Sequence, residues 1–496
     1  VCEEMNIIEP IIEHAVHQPK GIALIHEERS YTYEQLVSAM KKIAKGIQCK
    51  GLEHEKIAIL SSNRIEFVEV FLGIMYAGCV PILLDPKWSL HEIELVLKQA
   101  QPRMIFLECK LKDNMHRFTH IDTYVFSGKQ VASYEEWFST LTEEASVNHA
   151  KDPLFIGFTS GTTGMPKGYE RTHNSWLKSF MATKQAFQLN PLKNFLAPGP
   201  FVQSLSLFAL MQSLYFGGTF HILSTFEEEK VVKYCREVPN MILFLVPTMI
   251  EKLLRLDGLE DMPAQAIISS GAKWSVQSKA QAKKVFGSAK LFEFYGSSEA
   301  SYISYLAVHQ TMEEHVVGIP FPGVEISIRD NDQREVPTGE IGLLYIRSDM
   351  MFTRYFQLPE ETNAVFYEGW LKTGDYMMQD EAGALHLIGR AKNMLITGGL
   401  NVYPEEVETV LKRHSAIDDL IIIGVPDEYW GERLIACIKW RVDQTISLEE
   451  LQQFGAQFLA SFKLPKQLVT VQKFIYTSSG KIARKAMKDW VMEVMS

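Results

Sequence analysis

A chain of 496 residues exceeds what one hydrophobic core supports, so it must divide into at least two domains. Its 46% hydrophobic and 22% charged residues are those of a soluble globular enzyme. The formal net charge of −10 and pI near 5.8 exclude the basic surface of a nucleic-acid binder, so any polyanionic ligand must meet positive charge gathered locally.

Residues 5 to 50 read as helix with one hairpin. Ile22–Ile25 and Tyr31–Tyr33 are short strands, followed by a helix with Leu36, Val37, Met40, Ile43, Ala44 and Ile47 at helical spacing. A strand–helix–strand rhythm follows: strands at Ile57–Leu60, Val80–Leu84 and Met104–Leu107, helices at Glu66–Tyr76 and His91–Gln99. It resumes with strand Met241–Val246, helix Thr248–Leu256 and strands Ala266–Ser269 and Leu291–Phe294. Such alternation predicts parallel sheets with helices on both faces, and ligands gather beyond the carboxyl ends of such strands. The loops after Phe158, Ser269 and Phe294 all qualify.

From about Val316 the texture changes to short strands separated by Asp330-Asn331-Asp332, Pro337-Thr338-Gly339 and Asp380-Glu381-Ala382-Gly383, which predicts an antiparallel, barrel-like part over about 316–390. After Arg390-Ala391-Lys392 a compact α+β unit begins. The expected fold is therefore α/β: a large N-terminal domain over 1–390 and a small α+β domain over 391–496, joined at 390–392. The stretch Phe195–Phe220 is uncharged and long enough to span a bilayer, but Pro198, Pro200, Gly217, Gly218, Gln203 and Gln212 favour a buried helix beside an apolar pocket.

Six scattered cysteines, Cys2, Cys49, Cys79, Cys109, Cys235 and Cys437, predict buried reduced thiols in a cytoplasmic protein. No His-Glu-x-x-His pair marks a zinc hydrolase. Glu3, Glu4 and Glu9 stand where a secretory signal would be basic and then apolar.

The chemistry concentrates in Thr159-Ser160-Gly161-Thr162-Thr163-Gly164-Met165-Pro166-Lys167-Gly168, behind the apolar run Leu154–Phe158. Glycines let backbone N–H groups turn inward, and four hydroxyls and an ammonium add donors for an anion. A phosphate cradle is the natural reading; a plain Ser/Thr/Gly surface loop is the alternative. It is not a Walker A loop, because Pro166 precedes Lys167 and Gly168 follows it. Tyr295-Gly296-Ser297-Ser298-Glu299 offers an aromatic face, a close approach, hydroxyls and a carboxylate for Mg²⁺. Thr373-Gly374-Asp375 places a carboxylate where it can accept ribose hydroxyls, or merely cap a turn.

These motifs, in this order and over essentially the whole chain, resemble the adenylate-forming superfamily, in its acyl-CoA synthetase branch. The resemblance implies that Tyr295 faces adenine with Gly271 and Ala272 opposite, Ser298 lies near the α-phosphate, Asp375 and Arg390 hold the ribose, and Glu299 is the metal ligand. It implies that Lys481, in Ser479-Gly480-Lys481, is catalytic together with Glu299 and Thr163. Lys392 falls at the family's hinge, and Gly398 and Gly399 fall along its thiol channel. Phe201, Val202, Gln203, Ser204 and Ser270 would line the acyl pocket.

The implied substrates are ATP with Mg²⁺, a carboxylic acid and coenzyme A, with an acyl carrier protein as the alternative acceptor. The protein would be a monomer or homodimer. At pH 7 a carboxylic acid is already ionised and needs no general base, so positioned cations carry the catalysis. Val202 stands where amino-acid-activating relatives have an Asp, which disfavours α-amino acids because an unpaired buried ammonium is costly. Gln203 replaces a frequent histidine. Arg354 replaces the glycine of a common Gly-Tyr pair, without a functional account. A phosphate-loop ATPase or kinase would instead yield ADP.

Overall fold

In the computed structural model the described residues are 6–111, 121–127, 133–142, 150–159, 166–272, 274–310, 313, 315–397, 400–427, 429–476 and 482–495. They divide into two units. The first holds residues 1–312, 320–325 and 347–371, and the second holds 313–319, 326–346 and 372–496.

The first unit contains two sheets. One runs in the order 354–355, 167–171, 155–159, 80–84, 56–60, 104–108, 122–126. Strands Lys56–Leu60, Val80–Leu84 and Met104–Glu108 are parallel, as the alternating rhythm demands. Ala58, Leu60, Ile82, Leu84, Ile105 and Leu107 pack under Ile93, Val96 and Leu97 of helix Leu90–Ala100. Ser89 starts that helix with a capping box, its hydroxyl accepting from the Glu92 N–H.

Strand Phe155–Thr159 turns back antiparallel to Lys167–Arg171, with Thr159 opposite Lys167. The phosphate-loop motif thus joins two paired strands. Arg354 and Tyr355 extend the edge, opposite Glu170 and Tyr169.

The other sheet runs 301–307, 290–297, 266–269, 241–245, 194–196, 219–222, 22–26, 29–32. Strands Met241–Leu245, Ala266–Ser269 and Lys290–Ser297 are parallel, so their carboxyl ends open on one edge. Behind them Leu243, Leu245, Ile250, Ile267, Trp274 and Phe286 form a continuous core. The uncharged stretch resolves into strand Asn194–Leu196, helix Ser204–Tyr215 and strand Thr219–Ile222. Among the described residues no helix is long and apolar enough to cross a membrane.

The second unit has an antiparallel group in the order 325–329, 342–347, 370–379, 385–390, 316–320. A further sheet runs 400–402, 395–397, 431–440, 417–427, with strand Gln467–Thr470 parallel to Gly431–Trp440. Helices Pro404–Leu411 and Leu448–Gly455 cover one face through Val407, Leu411 and Leu451, and helix Arg484–Met495 covers the other through Met487 and Val491. Cys79, Cys235 and Cys437 are buried free thiols, whereas Cys49 at the end of its helix is exposed.

Candidate active site

Three catalytic or loop motifs fall partly beyond description. Ser160, Gly161, Thr162, Thr163, Gly164, Lys481, Gly398 and Gly399 lie outside the described residues. Their flanks are placed: Thr159 and Lys167 pair across the mouth of the phosphate-loop motif, and Tyr476 bridges Ile482 on either side of the segment holding Lys481.

Strand Lys167–Arg171 organises the first unit's site. Side chains alternate between faces of a strand, so Lys167, Tyr169 and Arg171 share one face and Gly168 and Glu170 the other. The Tyr169 hydroxyl lies 2.7 Å from Ser204 Oγ, which lies 3.1 Å from Ser298 Oγ. A Cβ at residue 157 would overlap that phenol hydroxyl, so Gly157 makes room for it. Burial pushes the Tyr169 phenol pKa up, so it remains protonated at neutral pH. Three hydroxyls thus link Ser204, at the first turn of an apolar helix, with the turn expected to hold nucleotide.

Arg171 donates to the Ser298 carbonyl at 2.9 Å, the Met350 carbonyl at 2.6 Å and Ser175 Oγ at 3.3 Å. Burial lowers its pKa to about 10, which leaves it charged at pH 7. Glu299 is bracketed by main chain and side chain. Its carbonyl accepts from Phe352 N–H at 2.7 Å and its Oε1 accepts from Tyr355 O–H at 3.0 Å. Burial, then the Glu299 charge, raises the Tyr355 pKa and keeps it a donor. Lys167 Nζ sits 5.6 Å from the Tyr355 ring centroid. Arg354 turns to the opposite face and pairs with Glu170 at 2.9 Å, which gives the unexplained arginine a structural role at the sheet edge.

Tyr295 and Gly296 end strand Lys290–Ser297, which folds back on Ser301–Ala307. A Cβ on Gly296 would run into the Ser301 carbonyl, so the bulge there requires glycine. Ser297 Oγ accepts from Ala300 N–H at 3.0 Å and closes the turn. On the neighbouring parallel strand, Ser270 is buried with its N–H on the Leu245 carbonyl, and Gly271, with φ 93°, leads into exposed Ala272.

Of the other acyl-pocket candidates, Phe201 packs against Phe67 and Phe220, and its N–H is held by Asn63 Oδ1 at 2.7 Å. Val202 is buried and Gln203 is exposed just before the helix. In the second unit Asp375 is buried, lies 3.1 Å from Arg390 Nε across paired strands, and follows Gly374 at φ 78°. Lys392 lies in a single 3₁₀ turn, Ala391–Asn393.

No cluster of three or more metal-ligating side chains occurs among the described residues. A magnesium ion needs none, since it is commonly held by one or two carboxylates and substrate phosphates, and the half-buried Glu299 carboxylate suits that arrangement. Sequence reasoning missed Tyr169, Arg171 and Tyr355. No apolar periodicity in Lys167–Arg171 signals the first two.

Glycine-lined loops at the carboxyl ends of parallel strands, with hydroxyls and one carboxylate converging, define a nucleotide-using α/β enzyme. The chain belongs to the AMP-binding enzyme family, in the acyl-CoA synthetase branch of the adenylate-forming superfamily: the family model matches residues 11–356 and the model of its C-terminal domain matches 406–481. It is 32% identical over 495 residues to the uncharacterized acyl-CoA ligase YhfT of Bacillus subtilis, covering 99% of both chains. It is 26% identical to a long-chain-fatty-acid–CoA ligase of the same organism, covering 96% of this chain and 93% of that one. The crystal structure of ATP-bound MatB from Rhodopseudomonas palustris superposes with a TM-score of 0.90 at 23% identity, covering 99% and 100% of the chains, which establishes the shared fold.

Proposed function

We propose that this chain is an AMP-forming acid–CoA ligase: it joins a carboxylic acid to the α-phosphorus of ATP, releases pyrophosphate, and passes the acyl group to the thiol of coenzyme A. The observation that carries the reading is the hydroxyl link from Ser204 to Ser298, 3.1 Å long, which brings the start of the apolar helix to the nucleotide turn. An acid lying along that helix would present its carboxylate beside the α-phosphate. The helix N-terminus and its hydroxyls favour an anion there.

The acid's carboxylate attacks phosphorus and pyrophosphate leaves, with no proton to remove. Repulsion between acid and triphosphate is the obstacle, and fixed positive charge lowers it. Lys481 would supply that charge at the reacting oxygens, and Lys167 and the loop of residues 159–164 would cradle the departing phosphates. Glu299 would hold Mg²⁺, whose contribution is to neutralise charge on the phosphate oxygens. Tyr355 orients the Glu299 carboxylate. Tyr295, with Gly271 and Ala272, would flank adenine, and Asp375 with Arg390 would hold the ribose.

For the second step we place a pivot at Lys392 and the pantetheine path along Gly398 and Gly399. The apolar helix and the likeness to a long-chain-fatty-acid–CoA ligase favour an aliphatic acid, buried Val202 disfavours an α-amino group, and the free thiols suit a cytoplasmic protein. The deciding assay offers a panel of carboxylic acids and scores pyrophosphate and AMP with and without CoA. AMP and acyl-CoA are expected; ADP as sole product, whatever acid is offered, overturns the assignment. Transfer to a holo carrier protein but not to CoA would correct the acceptor alone. Gly399→Leu is expected to abolish thioester formation while pyrophosphate release continues.

A further inference from the structure

Burying a guanidinium is costly unless an anion or a full set of hydrogen bonds compensates. Arg171 is 2% exposed, and its hydrogen-bond partners are neutral, namely the carbonyls of Ser298 and Met350 and the hydroxyl of Ser175, while the Glu299 charge acts on it through space. An apolar residue would fill this part of a strand at lower cost. The position of the two carbonyls gives the charge a purpose. Ser298 immediately precedes Glu299, and Met350 lies two residues before Phe352, whose N–H donates to the Glu299 carbonyl at 2.7 Å. One planar, forked side chain therefore ties both strands of chain that bracket Glu299, and its five fixed donors suit two divergent carbonyls better than an ammonium does.

We propose that Arg171 is a positioning residue for magnesium-dependent nucleotide binding: by clamping the Ser298 and Met350 carbonyls it fixes where the Glu299 carboxylate points. It touches no reacting atom and acts through Glu299. Tyr169, two residues earlier on the same face, reaches the Ser298 side chain through the Ser204 hydroxyl, while Arg171 holds the main chain. Together they restrain the turn from below.

The inference rests on the adenylate-forming reading, which assigns Glu299 to the metal. It is tested without the acid by titrating ATP into the full chain, with Mg²⁺ and again with EDTA. The wild type is expected to bind ATP more tightly with Mg²⁺. Arg171→Met should lose about tenfold of that gain, as expected for one or two charge-assisted hydrogen bonds, while binding in EDTA stays within about twofold. Arg171→Lys, which keeps the charge and can reach one carbonyl, should recover part of the gain and guards against misfolding of the methionine variant. Equal weakening with and without Mg²⁺ in both variants would reduce Arg171 to a packing role and overturn the proposal, as would an unchanged magnesium gain. Failure of the wild type to bind ATP at all would instead overturn the functional reading on which it stands.

Discussion

Glu299, in the turn after a strand, and Asp375, within one, are both acidic, yet the chain secures them in different ways. Glu299 depends on distant segments: Arg171 and Tyr169 reach its turn from a strand more than a hundred residues earlier, and Tyr355 and Phe352 reach it from later in the chain. Asp375 depends on neighbours. Thr373 accepts its N–H at 3.2 Å, Gly374 supplies a left-handed residue within the strand, and Arg390 faces it from the adjoining strand of a hairpin. One carboxylate is held by tertiary packing and the other by local geometry. Damage to the first should spread through several interactions, whereas damage to the second should stay confined to one ligand contact.

Lys481→Ala sets the upper limit against which both are judged. It should lower pyrophosphate release about a thousandfold with ATP affinity nearly intact, since in the proposed mechanism it removes charge required only as the new bond forms. Near-normal pyrophosphate release would remove Lys481 from the mechanism. Glu299→Gln should lower the rate about a hundredfold and raise the magnesium requirement, read as a shift in the Mg²⁺ dependence of kcat. Asp375→Asn should act mainly on binding, raising KM for ATP about tenfold with kcat less affected. Equal kcat losses in the last two variants would show that the two carboxylates do not differ in this way.

The smallest effect concerns stability. His173 begins helix His173–Phe187, and its Nδ1 accepts from Ile7 N–H at 3.2 Å, so it must be neutral. Burial lowers its pKa from 6.5 to about 4. The unfolded chain therefore binds the extra proton first as pH falls, and stability is lost between pH 6.5 and 4, amounting to about 2 kcal/mol by pH 5. Denaturation midpoints of His173→Gln should fall less over that range than those of the wild type; parallel curves would remove His173 as the cause.

Much of this was legible where residue type and periodicity coincide. The run Phe155–Phe158 announces a buried strand, the helical spacing from Leu36 to Ile47 announces its helix, and alternating elements from 57 to 107 announce a parallel sheet. Lys167-Gly168-Tyr169-Glu170-Arg171 announces nothing of the kind. Two cations and a carboxylate hide a strand because their partners lie far away in sequence, and alternation of polar residues carries no apolar signal. Helix His173–Phe187 and strand Ser301–Ala307 give no such signal, since buried serines and threonines interrupt their apolar pattern; Ser179 donates to the Ser175 carbonyl one turn back at 2.7 Å and also meets Ser301 at 2.8 Å. The motif residues of the site were visible as types. The arginine and tyrosines that orient them were not.

The two-residue repeat of strand Lys167–Arg171 also limits how this region can change length. Deleting one residue there would invert the faces and turn Glu170 toward Ser298 and Glu299 in place of a guanidinium. Substitutions at single sites can be absorbed one at a time, but a frame change of one residue sets two carboxylates against each other at the turn proposed to hold the nucleotide. Insertions and deletions should therefore be tolerated in the connecting loops and excluded from these five positions.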